Sequence, residues 1–236
     1  MGILTSAIPA QTGPSQFDRW WQSAGYWVEP ANQRRGGESG VQLLHQHNAG
    51  RPPLYCKRQT GHLYRSLLHP FGRPTILREL QAYRAFARLG IRVPRLVYGA
   101  ARRQGEQWQA LLVTEALQGF VSLEQWYATG PQNPELNRMI MQELATTLAR
   151  LHLSGWQHGC CYPKHVFVNI VTDGDPEPRI EIALLDLEKS RRRWLTLRAS
   201  RHDLRQLYRH RGPQPDGDWQ YFQQAYAEAL ASPFGA

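Results

Sequence analysis

Of the 28 cationic side chains in this 236-residue chain, 25 are Arg and three are Lys: Lys57, Lys164 and Lys189. Genomic base composition alone can produce an Arg bias. The lysines that survive it are candidates for places needing a compact point charge rather than a planar fork. Lys164 belongs to the run HGCCYPKH, which gathers His158, the adjacent thiols Cys160 and Cys161, Lys164 and His165 at positions 158–165. Lys57 sits in LYCKRQ, where strand alternation puts Tyr55 and Lys57 on one face and Cys56 and Arg58 on the other. Asp186 closes the apolar run IALLD, a pattern that delivers a carboxylate to a site or, in its plainer use, caps a helix. Upstream, RRGGESGV holds Gly36, Gly37 and Gly40 between two β-like segments. Glycines there permit positive φ and close backbone approach, so peptide N–H groups can point at phosphate oxygens; the same run also serves as a simple turn.

Three cysteines are too few for a disulfide framework, and an adjacent pair would be badly strained if bridged. Free thiols that pack as small residues are favoured over redox sensing, and without CxxC or a second Cys/His cluster no structural zinc is expected. The net charge of +9 and 42% hydrophobic composition describe a globular chain with a real core and a surface that attracts polyanions. No run approaches the ~18 apolar residues of a membrane span, and the first residues lack a secretory pattern, so a cytoplasmic protein is expected.

These residues must be positioned by elements that the sequence outlines. Residues 1–15 read as a flexible tail, followed by a short amphipathic helix in QFDRWWQ. GYWVEP, GVQLLHQ and LYCKRQ read as strands. A helix opens at Pro74 and stops at Gly90, with Ile76, Leu80, Tyr83 and Ala87 as its apolar face. RLVYGA and ALLVTEAL follow as strands joined by a polar turn at 102–109, giving the order β-β-β-α-β-β. Glu79 borders the inward face of that helix, 22 residues after Lys57. Beyond residue 117 helices dominate: SLEQWYA, then PELNRMIMQELATTLARLHLSG with apolar residues in helical register, and two closing helices near 200–210 and 217–230. Two short strands, HVFVNIV and IEIALLDL, and the basic run KSRRRW lie between them.

RRGGESGV, PFGRPTILRE, LLVTEAL, HGCCYPKH and LLDLEKSRRR, in this order, resemble the lipopolysaccharide kinase (Kdo/WaaP) family, over nearly the whole chain after the tail. The resemblance implies an α+β, bilobal protein-kinase-like fold. Its N-lobe, 16–117, would hold a five-stranded antiparallel sheet and one helix; its C-lobe, 118–236, would be mainly helical. It implies ATP and Mg²⁺ as cofactors in the cleft between them. By resemblance, Gly36, Gly37, Gly40, Lys57, Glu79, Glu115 and Leu117 bind the nucleotide, Lys57 gripping phosphates with Glu79 as its partner and the backbone at Glu115–Leu117 meeting the adenine edge. Asp186 is the metal aspartate, with His165 as a second metal candidate and Glu188 as a further contributor. Asp203 is the helix residue that supports the catalytic loop.

The family's loop reads His, any residue, Asp and, five positions after the Asp, Asn or His. Here His158 and His165 match and Lys164 is in place, but Cys160 stands at the Asp position. A thiol of reference pKa ~8.5 is mostly neutral at pH 7 and a poor proton acceptor. The implied reaction is phosphorylation of a sugar hydroxyl on a lipopolysaccharide-core-like acceptor, an anionic glycolipid or phosphosugar. KSRRRW is either a solvated charge run or the segment that meets such an acceptor at the inner face of a membrane. The first alternative is a pseudokinase, a nucleotide-binding or regulatory module with little turnover. Nucleic-acid binding is the weaker alternative, since no helix-turn-helix, RRM or zinc signature accompanies the charge.

Overall fold

A computed structural model describes residues 15–34, 37–45, 50–67, 69–130, 133–172, 174 and 178–231; the expected tail up to residue 14, and Gly36, lie outside the described residues. Helix α1 (Gln16–Gln22) starts on a capping box in which the Ser15 hydroxyl accepts from the Asp18 amide and the Asp18 carboxylate accepts from the Ser15 amide. Its Phe17, with Trp20 and Trp21, packs on Leu44, Cys56, Leu111 and Val113. That small cluster seals one face of a sheet and leaves the other to line a cleft.

The sheet is built from β1 (Gly25–Arg34), β2 (Gly37–Leu44) and β3 (Leu54–Thr60), then, after two further elements, β6 (Leu96–Gln104) and β7 (Gln107–Glu115). All pairings are antiparallel in the order β1-β2-β3-β7-β6, so β3 sits centrally with Lys57 opposite Val41 on one side and Leu112 on the other. Between β3 and the major helix lies a hairpin of β4 (Leu63–Ser66) and β5 (His69–Pro74) that the sequence reading did not separate. The turn expected at 102–109 is also shorter, because β6 and β7 pair down to Gln104 and Gln107.

Helix α2 (Thr75–Arg88) takes Pro74 as its N-cap rather than its first residue, and ends before Gly90, whose φ of 69° reverses the chain. The expected apolar face needs one correction. Ala87 is exposed, and Ala82 and Phe86 are buried in its stead beside Ile76, Leu80 and Tyr83. Many apolar residues crowd this helix, and the side touching the rest of the core selects among them.

The second lobe begins with β8 (Val121–Ser122), α3 (Leu123–Thr129) and α4 (Pro134–Leu153). Asn133 caps α4 by accepting from the amides of Glu135 and Leu136, with Pro134 in the first turn. β9 (Trp156–Gln157) leads into the loop at 158–162 and a 3-10 turn at Pro163–His165. β10 (Val166–Val171) and β11 (Arg179–Leu184) form a small sheet with β8, and a second 3-10 turn covers Leu187–Lys189. β12 (Arg191–Arg192) pairs with β9, and α5 (Thr196–Arg209) and α6 (Asp216–Ala231) close the described chain.

One continuous apolar cluster joins the halves: Ile76, Leu80 and Phe86 of α2 belong to it with Leu112 of β7, Ile140, Leu144 and Leu148 of α4, Leu184 of β11 and Phe222 of α6. Leu148 is fully buried there, so Leu148→Ala should cost about 2–5 kcal/mol by lost burial and residual cavity. A denaturant midpoint unchanged within error would show that α4 is not the spine of the core.

Candidate functional site

Lys57 points from β3 into the space between the lobes, where its Nζ lies 2.8 Å from Glu79 Oε2 of α2 and 2.9 Å from Glu188 Oε2. Burial works against the ammonium, but Glu79, Glu188 and Asp186 outweigh it and hold Lys57 firmly protonated. Glu188 is kept below the usual carboxylate range, again against burial, by Lys57. A second layer fixes it. Gln59, on the same face of β3 as Lys57, donates to Glu188 Oε2 at 3.3 Å and accepts from Thr75 Oγ1 at 2.8 Å. Arg78 of α2 donates through Nε to the Glu188 carbonyl at 2.7 Å. Glu188 thus ties the second lobe to β3 and α2.

Asp186 stands at the end of β11, where the amides of Leu184 and Leu185 donate to the carbonyls of Arg92 and His165. Its backbone is left-handed, with φ 56° and ψ 62°, and it is the one non-glycine residue of positive φ among the described residues. Asp tolerates this conformation better than most residues, but a cost remains. Although Asp186 precedes a 3-10 turn, its side chain makes no capping hydrogen bond, so the carboxylate remains directed to the cleft that it lines. Burial raises its proton affinity, but Lys57 and His165 more than offset this and keep it ionised.

The loop at 158–165 is held from behind by Asp203 of α5. This fully buried carboxylate accepts from the amides of His158 at 2.6 Å and Gly159 at 2.9 Å, and it faces His152 Nε2 at 3.1 Å. Hydrogen bonds from His152 and His202 overcome the burial penalty and hold Asp203 far below the usual carboxylate range. Gly159 has φ 83°, and a Cβ there would stand 2.6 Å from the Lys189 carbonyl, so both conformation and space demand glycine. His158 is fully buried, and its Nδ1 accepts from the Cys160 amide at 3.2 Å. Burial depresses its pKa to about 4. Cys160 and Cys161 are both buried and free. Burial and the neighbouring Asp186 push the Cys160 thiol up to about 12, against the pull of Lys189. It is a thiol, not a thiolate. His165 Nδ1 lies 2.9 Å from the Cys160 carbonyl, an acceptor only, so Nδ1 carries the proton; it stands 3.7 Å from Asp186.

One cleft of about 750 Å³ is lined by Lys57, Glu79, Lys164, His165, Asp186, Glu188 and Lys189 together with Glu115 and Leu117 of the inter-lobe linker, whereas the buried His158, Cys160 and Asp203 are not part of its lining. All three lysines of the chain meet there. The Glu115 side chain is engaged by Arg95 on the outside. The amides of Glu115 and Ala116 donate to the carbonyls of Arg95 and Pro53. Gly37 and Gly40 require a correction: they are strand residues of β2, neither has positive φ, and neither lines the cleft. They are small because a Cβ at Gly37 would meet the backbone of Gly61 at 2.3 Å, and one at Gly40 the Trp27 ring at 2.6 Å. Their neighbours Ser39 and Val41 face the cleft instead.

Lys189 and Gln59 were not singled out as site residues from sequence. Lysine scarcity marked the first, and period-two spacing from Lys57 would have found the second. Magnesium ordinarily keeps several waters and takes one or two carboxylates with substrate phosphates. Among the described residues no cluster of three or more His, Cys, Asp or Glu is arranged to hold a metal alone. The uncapped Asp186 carboxylate suits a cation brought in with a phosphate chain. Glu188 is committed to Lys57.

The sequence profile of the Lipopolysaccharide kinase (Kdo/WaaP) family matches residues 18–226. Protein InaA of Escherichia coli (strain K12) is 41% identical over 214 residues, covering 89% of this chain and 95% of that protein. Lipopolysaccharide core heptose(I) kinase WaaP of Escherichia coli is 30% identical over 94 residues, 36% of this chain and 35% of that protein. Among solved structures, WaaP in complex with acyl carrier protein superposes with a TM-score of 0.66 at 21% identity, covering 94% of this chain and 88% of that one. The fold is therefore protein-kinase-like.

The buried polar groups behind the loop set a pH dependence. His158 titrates near pH 4 when folded but near ~6.5 when unfolded, so between these values the unfolded chain binds more protons and stability falls as pH falls. Across that window the loss should total about 3 kcal/mol. Asp203, depressed in the fold, adds a further loss below its unfolded value of ~3.9. Thermal melts from pH 7.5 downward should show this slope, and His158→Asn should flatten its upper part. A wild-type melting temperature independent of pH between neutrality and ~4.5 would contradict the neutral, buried His158.

Proposed function

The chain belongs to the lipopolysaccharide kinase (Kdo/WaaP) family, and from that membership we propose that it binds Mg·ATP in the inter-lobe cleft and phosphorylates a sugar hydroxyl of a lipopolysaccharide-core-like acceptor in the cytoplasm. The observation that carries the reading is the meeting of Lys57, from the first lobe, and Asp186, from the second, across one cleft. In this reading Lys57, oriented by Glu79, grips phosphate oxygens, and Asp186 takes the Mg²⁺ that comes with them. The adenine edge lies along Glu115–Leu117. With the amides of Glu115 and Ala116 already bonded, Leu117 N–H is the donor the linker has left to offer. Lys164 neutralises charge on the transferring group, and Asp203 holds the loop that presents it. His165 positions that loop through the Cys160 carbonyl. The acceptor oxygen bonds to the γ-phosphorus, the bond to the bridging oxygen breaks and ADP leaves, while the hydroxyl proton passes to solvent water.

Cys160 favours a second reading. A thiol pushed up to about 12 cannot take the acceptor's proton near neutrality. The chain is then a pseudokinase that binds nucleotide and turns it over little. Positioning and charge neutralisation still carry most of phosphoryl transfer through its loose transition state, so loss of the base slows the reaction rather than removing it.

Mg·ATP titration followed by transfer of labelled phosphate to a panel of lipopolysaccharide-core acceptors separates the readings. At ~100 times Kd, Mg·ATP should raise the melting temperature by roughly 5–10 °C, and Lys57→Met should abolish that rise. An equal rise in the variant would remove the nucleotide from this cleft. Cys160→Asp should accelerate phosphotransfer at least about tenfold by restoring a general base. A folded variant no faster than the parent would show that position 160 does not limit the reaction.

A further inference from the structure

The most exposed apolar side chains are not scattered. Trp194 (105%), Leu67 (102%), Phe71 (93%) and Leu197 (76%) belong to two short segments, the β4–β5 hairpin and the chain leading from β12 into α5. Monomer surfaces show single exposed apolar residues routinely, but grouped ones mark contact with something.

A chain of contacts through Arg78 links the two segments. Tyr64 of the hairpin lies beneath the Arg78 guanidinium, 4.6 Å from the ring centroid, and Arg78 donates to the Glu188 carbonyl. Three residues on from Glu188, Arg191 is exposed but feels burial first and then the like charges of Arg193 and Arg78. Arg78 thus bridges the hairpin and the turn that precedes the basic segment, and that segment begins at Lys189, which lines the cleft.

The charge around these apolar residues has one sign. Residues 189–201 read KSRRRWLTLRASR, six cations and no carboxylate, and residues 63–73 read LYRSLLHPFGR, again with Arg but no Asp or Glu. A protein or nucleic-acid partner would account for the arginines. A nucleic acid leaves a tryptophan, a phenylalanine and two leucines exposed among them unexplained, and a protein would have to offer acidic groups and matching apolar pockets together. A bilayer interface accepts both: basic side chains at anionic headgroups, with aromatic and aliphatic tips at the acyl boundary. Arg stems lie along such a boundary while their heads stay hydrated.

We propose that Leu67, Phe71, Trp194, Leu195 and Leu197, with the arginines between them, form a face that docks on an anionic phospholipid bilayer and sets the mouth of the cleft at its surface. This goes beyond the phosphotransfer reading and needs no nucleotide. No helix among the described residues is long and apolar enough to cross a membrane, so the contact is peripheral.

Flotation of the full chain with vesicles tests it. Phosphatidylcholine vesicles containing phosphatidylglycerol should carry the protein up, and vesicles of phosphatidylcholine alone should carry at least about tenfold less. High salt should weaken the binding by screening the arginines. The combined change Leu67→Ser, Phe71→Ser and Trp194→Ser keeps every charge and should lose at least about tenfold in binding, because the apolar insertion is gone. Tyr26→Ser, an exposed aromatic of β1, should bind as the parent does. Near-UV circular dichroism and melting temperature check that the variants fold, which exposed positions permit. Failure to float with anionic vesicles would overturn the proposal. So would a triple variant that floats like the parent, since plain polyanion attraction would then suffice; competition of that residual binding by heparin would identify it. Because no ATP or acceptor enters the assay, its failure leaves the kinase reading standing, and failure of Lys57→Met to alter ATP binding leaves this face standing.

Discussion

A single ammonium held among carboxylates from both lobes organises this molecule. Lys57 lies within hydrogen-bond distance of Glu79 and Glu188, and Asp186 acts on it through space. Removing one partner from a buried pair strands the other charge, typically at several kcal/mol, whereas the intact pair offers little net stability over an apolar alternative. Its value is geometric: it fixes where α2 stands relative to β3 and where the 3-10 turn after Asp186 stands relative to both. It also gathers Glu79, Glu188 and Asp186 around one ammonium, while Lys164 and Lys189 line the same cleft.

Behind the cleft the support is polar as well. Asp203 is buried without an Arg or Lys partner and draws its compensation from two backbone amides and two histidines. A carboxylate satisfied in this way pins a loop more closely than a surface ion pair can, since its bonds to the two amides and to His152 are buried. The loop it pins carries Cys160, a buried thiol.

Much of this was legible in the sequence because the relevant periodicities were clean. Alternation in LYCKRQ separated Lys57 from Cys56, and the structure puts one in the cleft and the other in the outer cluster. The five strands and the long α4 followed from period-two and period-3.6 patterns, and the antiparallel sheet from the family resemblance. Other features were hidden for physical reasons. The β4–β5 hairpin has strands of four and six residues and two prolines, which erase alternation. The face of α2 was ambiguous because Ala82, Phe86 and Ala87 are all apolar, and only tertiary contact chooses. Glu188, expected only as a further contributor beside the metal aspartate, is instead brought onto Lys57 after the left-handed turn at Asp186. Gly37 and Gly40 looked like a phosphate loop, yet close packing inside the sheet explains them.

The apolar cluster running from α2 through α4 to α6 has a consequence for how the lobes relate as mechanical parts. Residues from Ile76 to Tyr226 contribute to one interior, and Leu112 of the sheet is among them. The halves therefore share their insulation. Severing the chain at the linker would strip oily surface from both pieces, so neither is an autonomous module that recombination could lend to another protein. Any opening of the crevice has to be a small slide over that common interior, not a free swing.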